Sequence, residues 1–195
     1  MTLPPVQERI MAMRQACGFR ERQSGVTLIE QIMLVAILGV LAAIATPSLT
    51  QLFRRNQVQL AQTEFIAALQ HTRSTAAFSG RPTLLCPSRD GAQCSGETRW
   101  ESGWLIGHDT ARKGQPDAAP LRTGPGYTGV TILGDSGRRF VRFQNDGSAS
   151  GMTNTLRICR RGQPDQTLVV VISNSGRIRG AKASAEQAAS CAAAQ

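Results

Sequence analysis

Residues 1–24 interleave charges of both signs with polar and apolar positions, and the chain then changes texture within a few residues. Gly25 is followed by Val26-Thr27-Leu28-Ile29-Glu30-Gln31 and by an unbroken apolar run from Ile32 to Ala45. Val26 to Thr46 is 21 residues, close to the roughly 20 that cross a bilayer as one helix. In a secretory signal the apolar stretch precedes the cleavage site and is discarded. Here the small residue stands before it, so cutting after Gly25 keeps the stretch as an anchor. A buried helix of a water-soluble protein fits poorly, because little downstream is apolar enough to surround it. Glu30 is an ionisable side chain at the start of this segment, a costly position that calls for a partner or a function. An amine at a new N-terminus on Val26 of a neighbouring subunit is one partner; a position at the wet headgroup level is the other reading.

Pro47 closes the apolar run and predicts a kink, since proline removes one helical hydrogen bond. Beyond it Val58, Ala61, Phe65, Leu69, Thr72 and Ala76 recur every three or four residues, while Arg54, Arg55, Gln59, Gln62, Gln70 and Arg73 are polar. That is an amphipathic helix reaching Ser79, stopped by Gly80 and Pro82. Ser48 to Ser79 spans 32 residues, about 48 Å of helix. The apolar stripe needs a cover, so its second half is expected to pack across a sheet. A coiled coil does not fit, because no a/d pattern with charged flanks is sustained.

After Gly80 short alternating or β-branched runs are separated by turn formers, which predicts strands. They are Thr83 to Cys86, Gly103 to His108, Gly129 to Leu133, Arg139 to Gln144, Thr155 to Arg160 and Thr167 to Ser173. Asp90-Gly91, Asp146-Gly147 and Asn174-Ser175-Gly176 read as turns. His108 to Thr128 reads as a long loop, and the tail after Ala181 is alanine-rich. Trp104 is expected to anchor the core, with Trp100 near its edge. The reading is therefore one α+β chain in four segments: a leader (1–25), a transmembrane helix (26–46), an amphipathic helix continuing it (47–80) and a β-rich head (81–195).

Charge and cysteines refine this picture. The net charge is +9; the leader holds Arg9, Arg14, Arg20 and Arg22 against Glu8 and Glu21, so the chain from Val26 onward keeps +7. Arginine suits a fork-like grip on phosphate or carboxylate, although surplus cations also serve solubility. In an extended chain Arg177 and Arg179 project to one side about 6.6 Å apart; Lys182 follows, and Arg138, Arg139, Arg142, Arg157, Arg160 and Arg161 add charge elsewhere in the head. Of five cysteines, Cys17 lies in the leader, which leaves an even set for an oxidising compartment. Cys86 and Cys94 enclose a loop short enough for one bridge, which pairs them and leaves Cys159 with Cys191, the other two connectivities staying open to sequence reasoning. There is no C-x-x-C pair, so no metal is expected. His71 and His108 lack the partners of a triad, Asp109 reads as a turn residue, and no catalytic motif is present. No catalytic residue and no cofactor follow.

The order Gly25, Val26-Thr27-Leu28-Ile29-Glu30 and apolar helix resembles the class III signal of type IV pilins and type II secretion pseudopilins. Leu85-Cys86-Pro87-Ser88, Asp90-Gly91, Cys94, Trp100, Gly103-Trp104-Leu105 and Ser175-Gly176-Arg177-Ile178-Arg179 are similar to the FimT/GspH family. The resemblance implies a pilin-like fold, a long helix on antiparallel sheet. It also implies cleavage by prepilin peptidase between Gly25 and Val26, N-methylation of Val26, and assembly with other minor and major pilins or pseudopilins directed by Glu30. It further implies a single pass through the bacterial inner membrane, a periplasmic head, and an extracellular one once assembled into a pilus. Two features depart from the family: Val26 stands where phenylalanine is usual, and the leader is long, so that Met11 or Met13 could be the start. Gly176-Arg177-Ile178-Arg179 matches the GRxR pattern with which FimT-type minor pilins bind DNA, implying double-stranded DNA as a partner of Arg177, Arg179 and Lys182. The rival is that Gly176 serves a hairpin turn and the arginines are solvated or pair with a neighbouring subunit. The function implied is a FimT-like minor pilin at or near a filament tip, with the H-type minor pseudopilin of a type II secretion system as the alternative.

Overall fold

The computed structural model describes residues 27–135, 137–160 and 163–194, and the side chains of 44–55 fall outside that description. Gly25, Val26, Cys17 and Arg161 therefore lie outside the described residues. The chain divides into two compact units, Met1–Pro47 and Ser48–Gln195.

Helix α1 runs Leu28–Ser79. Its first turn is seeded by the Thr27 carbonyl, which accepts from the amides of Glu30 and Gln31 at 3.1 and 3.2 Å. Every described side chain from Thr27 to Ala43, Glu30 among them, is exposed. Among the described residues no helix is long and apolar enough to cross a membrane; the apolar run continues in the sequence through Ala45, past the last described side chain of this stretch. Helical structure runs through Pro47 without interruption, as a proline that removes a single backbone bond allows.

In the second unit the helix buries the stripe read from sequence: Val58, Ala61, Phe65, Leu69, Thr72 and Ala76, joined by Ala68. Thr72 satisfies its buried hydroxyl by donating to the Ala68 carbonyl at 2.7 Å, as a threonine inside a helix must. Gly80 follows with φ 64°, a left-handed residue that ends a helix without strain.

The stripe is covered by two four-stranded antiparallel sheets rather than one. The first has the order β3-β2-β1-β5 and the second β4-β6-β7-β8. Their strands are β1 Thr83–Pro87, β2 Trp104–His108, β3 Arg122–Gly124, β4 Val130–Leu133, β5 Val141–Phe143, β6 Asn154–Arg160, β7 Gln163–Ile172 and β8 Ile178–Lys182. Leu85, Ile106, Val141 and Phe143 from one sheet and Ile132, Leu156, Ile158, Val170 and Ile172 from the other meet α1 in one core. Trp100 and Trp104 both belong to it, so Trp100 is not at the edge; Phe65 meets the Trp100 ring edge-on, with centroids 6.0 Å apart.

Three elements escaped the sequence reading. Strand β3 lies inside the expected long loop. Strand β8 alternates weakly because its exposed residues include both arginine and alanine. Helix α2, Ala185–Ala193, forms in the alanine-rich tail; Ser184 Oγ accepts the Gln187 amide and Gln187 Oε1 accepts the Ser184 amide, a reciprocal cap. The segment after β2 is tied down by Asp109, which is more than a turn residue. Its buried carboxylate accepts from the amides of Lys113 and Gly114 and from the Arg142 guanidinium, at 2.8 Å from Nε.

Candidate nucleic-acid interface

The structure joins Cys86 to Cys94 and Cys159 to Cys191. The second bridge holds α2 against β6 and β7, with Cys191 buried. On β7 Leu168 and Val170 face the α1 core, whereas Val169 between them is buried on the other side of the sheet. Sheet β4-β6-β7-β8 therefore has an inner face on α1 and an outer face partly covered by α2.

Strand β8 is the outer edge of that sheet, paired antiparallel with β7 so that Val171 opposes Arg179 and Val169 opposes Ala181. The connecting turn is built from short polar residues. Gly176 donates its amide to the Ser173 carbonyl at 2.9 Å, and the Ser173 amide donates to the Arg177 carbonyl at 3.0 Å; the Arg177 amide donates to Ser173 Oγ at 3.2 Å. Gly176 has φ 77°, and a Cβ there would fall 2.1 Å from the Gly147 carbonyl oxygen, so glycine is required on two counts. The turn role foreseen for Gly176 is thus real, and it fixes the backbone from which Arg177 departs.

Alternation along β8 sorts the basic residues. Ile178 packs on the core, a side chain at Gly180 would meet Gln62 and Ile66 of α1, and Lys182 lines a groove with Asn56, Gln59 and Asp165. These three share the inner side. Arg179 and Ala181 take the outer side with Val171 and Val169, and Arg177, at the root of the strand, continues the same alternation. The structure therefore keeps Arg177 and Arg179 together and sends Lys182 to the opposite face. Both arginine side chains are exposed and, among the described residues, hold no hydrogen bond or ion pair. Of the other head arginines, Arg142 is buried against Asp109, Arg157 lies 3.6 Å from Asp135 and Arg138 donates to the Gly151 carbonyl, whereas Arg139 is exposed like the pair but stands apart from β8 in the β4–β5 connection.

Among the described residues no group of histidine, cysteine, aspartate or glutamate could hold a metal ion. His71 is exposed on α1, and His108 at the end of β2 has Nδ1 3.0 Å from Thr83 Oγ1.

A long helix whose C-terminal half packs across antiparallel sheet, with disulfide-tied loops, defines a type IV pilin-like protein. Residues 61–176 match the family described as type II transport protein GspH, and the chain belongs to that family of minor pilins and pseudopilins. It is 30% identical to the type IV minor pilin FimU of Pseudomonas aeruginosa, with TM-score 0.54 over 64% of this chain and 88% of that one. A second crystal form of FimU gives 30% identity and TM-score 0.53 over 63% and 91%. The minor pseudopilin EpsH of the Vibrio cholerae type 2 secretion system is 17% identical, with TM-score 0.46 over 65% and 97%. No curated protein matches the chain. The family match ends at Gly176, one residue before the arginine pair, and does not reach Arg177 and Arg179.

Proposed function

We propose that the chain is a minor pilin of a type IV pilus, cleaved after Gly25, methylated on Val26 and held in the inner membrane by residues 26–46. In this reading Glu30 meets the terminal amine of a neighbouring pilin, the head lies in the periplasm, and assembly near the filament tip carries it outside. It works by assembly rather than by turnover. The uncovered apolar side chains of Leu28–Ala43 support the anchor, since an apolar surface of that extent needs lipid or protein around it.

The head binds duplex DNA through phosphate contacts. The observation that carries this is the exposed, unpartnered pair Arg177 and Arg179 on one face of an edge strand, in a chain that keeps +7 from Val26 onward. Such contacts ignore base sequence and weaken as salt rises. The second reading, a minor pseudopilin H of a type II secretion system, is favoured by the family description matched over residues 61–176; that role needs no grip on phosphate. Fluorescence anisotropy of a 30-base-pair duplex with the full-length protein in uncharged detergent separates the two. Arg177→Gln with Arg179→Gln should lower the slope of log K against log salt by about 1.8, at about 0.9 per phosphate contact. Equal binding by wild type and double variant rejects the assignment.

A further inference from the structure

The connection between β5 and β6 lies directly against the β7–β8 turn. The Ala149 amide donates to the Asn174 carbonyl at 2.9 Å, the Gly151 amide to Asn174 Oδ1 at 3.2 Å, and Gly147 abuts Gly176. Two arginines from other elements stand at the ends of this contact. Arg73, exposed on the flank of α1, donates Nε to the Gly147 carbonyl at 3.0 Å, and that Nε lies 3.2 Å from where a Gly176 Cβ would be. Arg138, in the connection before β5, donates Nη1 to the Gly151 carbonyl at 2.8 Å. Each bond uses one of five N–H donors and leaves the rest of the guanidinium free. The two anchoring carbonyls are four residues apart, at most about 14 Å of chain. Between residues 144 and 153, and through the turn to Arg177, the acidic side chain present is Asp146, which accepts the Ser148 amide at 2.8 Å.

We propose that Arg73, on the α1 side of the sheet, and Arg138 are further phosphate-contacting residues beside the β7–β8 turn, so that arginines from α1, the β4–β5 connection and the outer face of the β7–β8 hairpin flank one turn and grip the backbone of duplex DNA. The proposal rests on the reading of Arg177 and Arg179 given above. Duplex DNA presents one charge per roughly 1.7 Å of axis, so a rim of this width meets several phosphates at once. Arginine forks pair with phosphate oxygens bidentately. Tethering a guanidinium to a backbone carbonyl also restricts its side chain before the ligand arrives, which lowers the ordering cost of binding. Contacts from three elements fix orientation without reading bases.

The test is a salt series, by anisotropy on a mixed-sequence 30-base-pair duplex, with the full-length protein in uncharged detergent. Arg73→Gln and Arg138→Gln should each reduce the slope of log K against log salt by about 0.9, which, extrapolated from 1 M salt, is about 15-fold weaker binding at 50 mM and about fourfold at 200 mM. Arg73→Lys and Arg138→Lys should keep the slope, because the charge stays, and Asp146→Asn should tighten binding. If both glutamine variants bind with the wild-type slope, at full or reduced affinity, the arginines merely brace the hairpin and the proposal is overturned. That failure differs from failure of the functional reading, in which wild type does not bind or Arg177→Gln with Arg179→Gln changes nothing. Displacement of the duplex by polyglutamate at equal charge concentration also overturns it, in favour of an acidic protein surface.

Discussion

Removing the two disulfides separately should destabilise the head unequally. Cys159 and Cys191 are 32 residues apart and Cys86 and Cys94 are 8 apart. The loop-closure relation gives about 3.7 kcal/mol for the first and about 2.5 kcal/mol for the second at 25 °C. At about 2–4 °C per kcal/mol for a unit of this size, Cys159→Ser with Cys191→Ser should lower the melting temperature by about 7–15 °C, and Cys86→Ser with Cys94→Ser by about 5–10 °C. The structure adds a local difference. The short loop keeps other ties, since Ser95 donates its amide to Pro87 and the Gln115 side chain bonds both the amide and the carbonyl of Cys94. Helix α2 has 9 residues, too few to be stable alone in water. Without its bridge it depends on packing against β6 and β7, its N-terminal cap, and Arg99 Nη1 donating to the Ala194 carbonyl at 3.1 Å. Thermal circular dichroism and amide hydrogen exchange on the full-length protein in uncharged detergent read both effects. Amides of Ala185–Ala193 should lose protection in the Cys159 and Cys191 variant while those of β7 keep it. A larger melting shift from the short loop, or full protection of α2 without its bridge, would refute the reasoning.

Two further perturbations probe the segment after β2. Asp109→Ala strands the buried Arg142 guanidinium without its counter-charge and should cost about 3–5 kcal/mol, read as a fall in urea midpoint; Asp109→Ala with Arg142→Leu should recover part of it, and no loss in the single variant would contradict the role given to the pair. Burial holds His108 below its ordinary value of 6.5, Arg81 adding to the effect and Asp117 opposing it. The folded state thus prefers the neutral ring, the unfolded chain takes up its proton first, and stability should decline as pH falls from about 6.5 to the folded pKa and then level. Denaturant midpoints between pH 7.5 and 5 should show this step in wild type and lose it in His108→Gln. Asp90, Asp117 and Asp146 titrate below their ordinary 3.8, so their contribution, present above that value and lost beneath it, lies outside the window.

The parts of the fold legible in the sequence were those with strong periodicity. The stripe from Val58 to Ala76 is spaced for one helical face and is buried on one, and the six expected runs all contain strands. What was hidden depended on partners distant in sequence. Strand β3 is three residues of Arg-Thr-Gly, with no hydrophobic pattern, and exists because β2 offers it an edge. Helix α2 is signalled by the Ser184 and Gln187 spacing, a cue outweighed by the small, mixed composition of the tail. Two sheets replace one because β1 pairs with β5, skipping β4, a choice no local run encodes. At the site the arginine pair was visible by alternation, but Lys182 was assigned by proximity although its even spacing from Ile178 puts it on the inner side. Arg73 and Arg138 could not be read at all, since the β5–β6 connection is what brings them beside the turn.

Edge position alone does not account for these arginines. A strand such as β8 exposes unpaired backbone groups, and charged side chains on an edge discourage pairing with other chains. Lys182 and Arg179, leaving opposite faces of the strand, satisfy that need between them. It gives no reason for a second arginine on the outer face at Arg177, nor for Arg73 and Arg138 to be tethered by backbone carbonyls on either side of the same turn. A solubility role would be served by charge spread over the surface and by lysine as well as arginine. Under the proposed function, convergence of one residue type from three elements on a glycine-locked turn suits a polyanion with closely spaced charges.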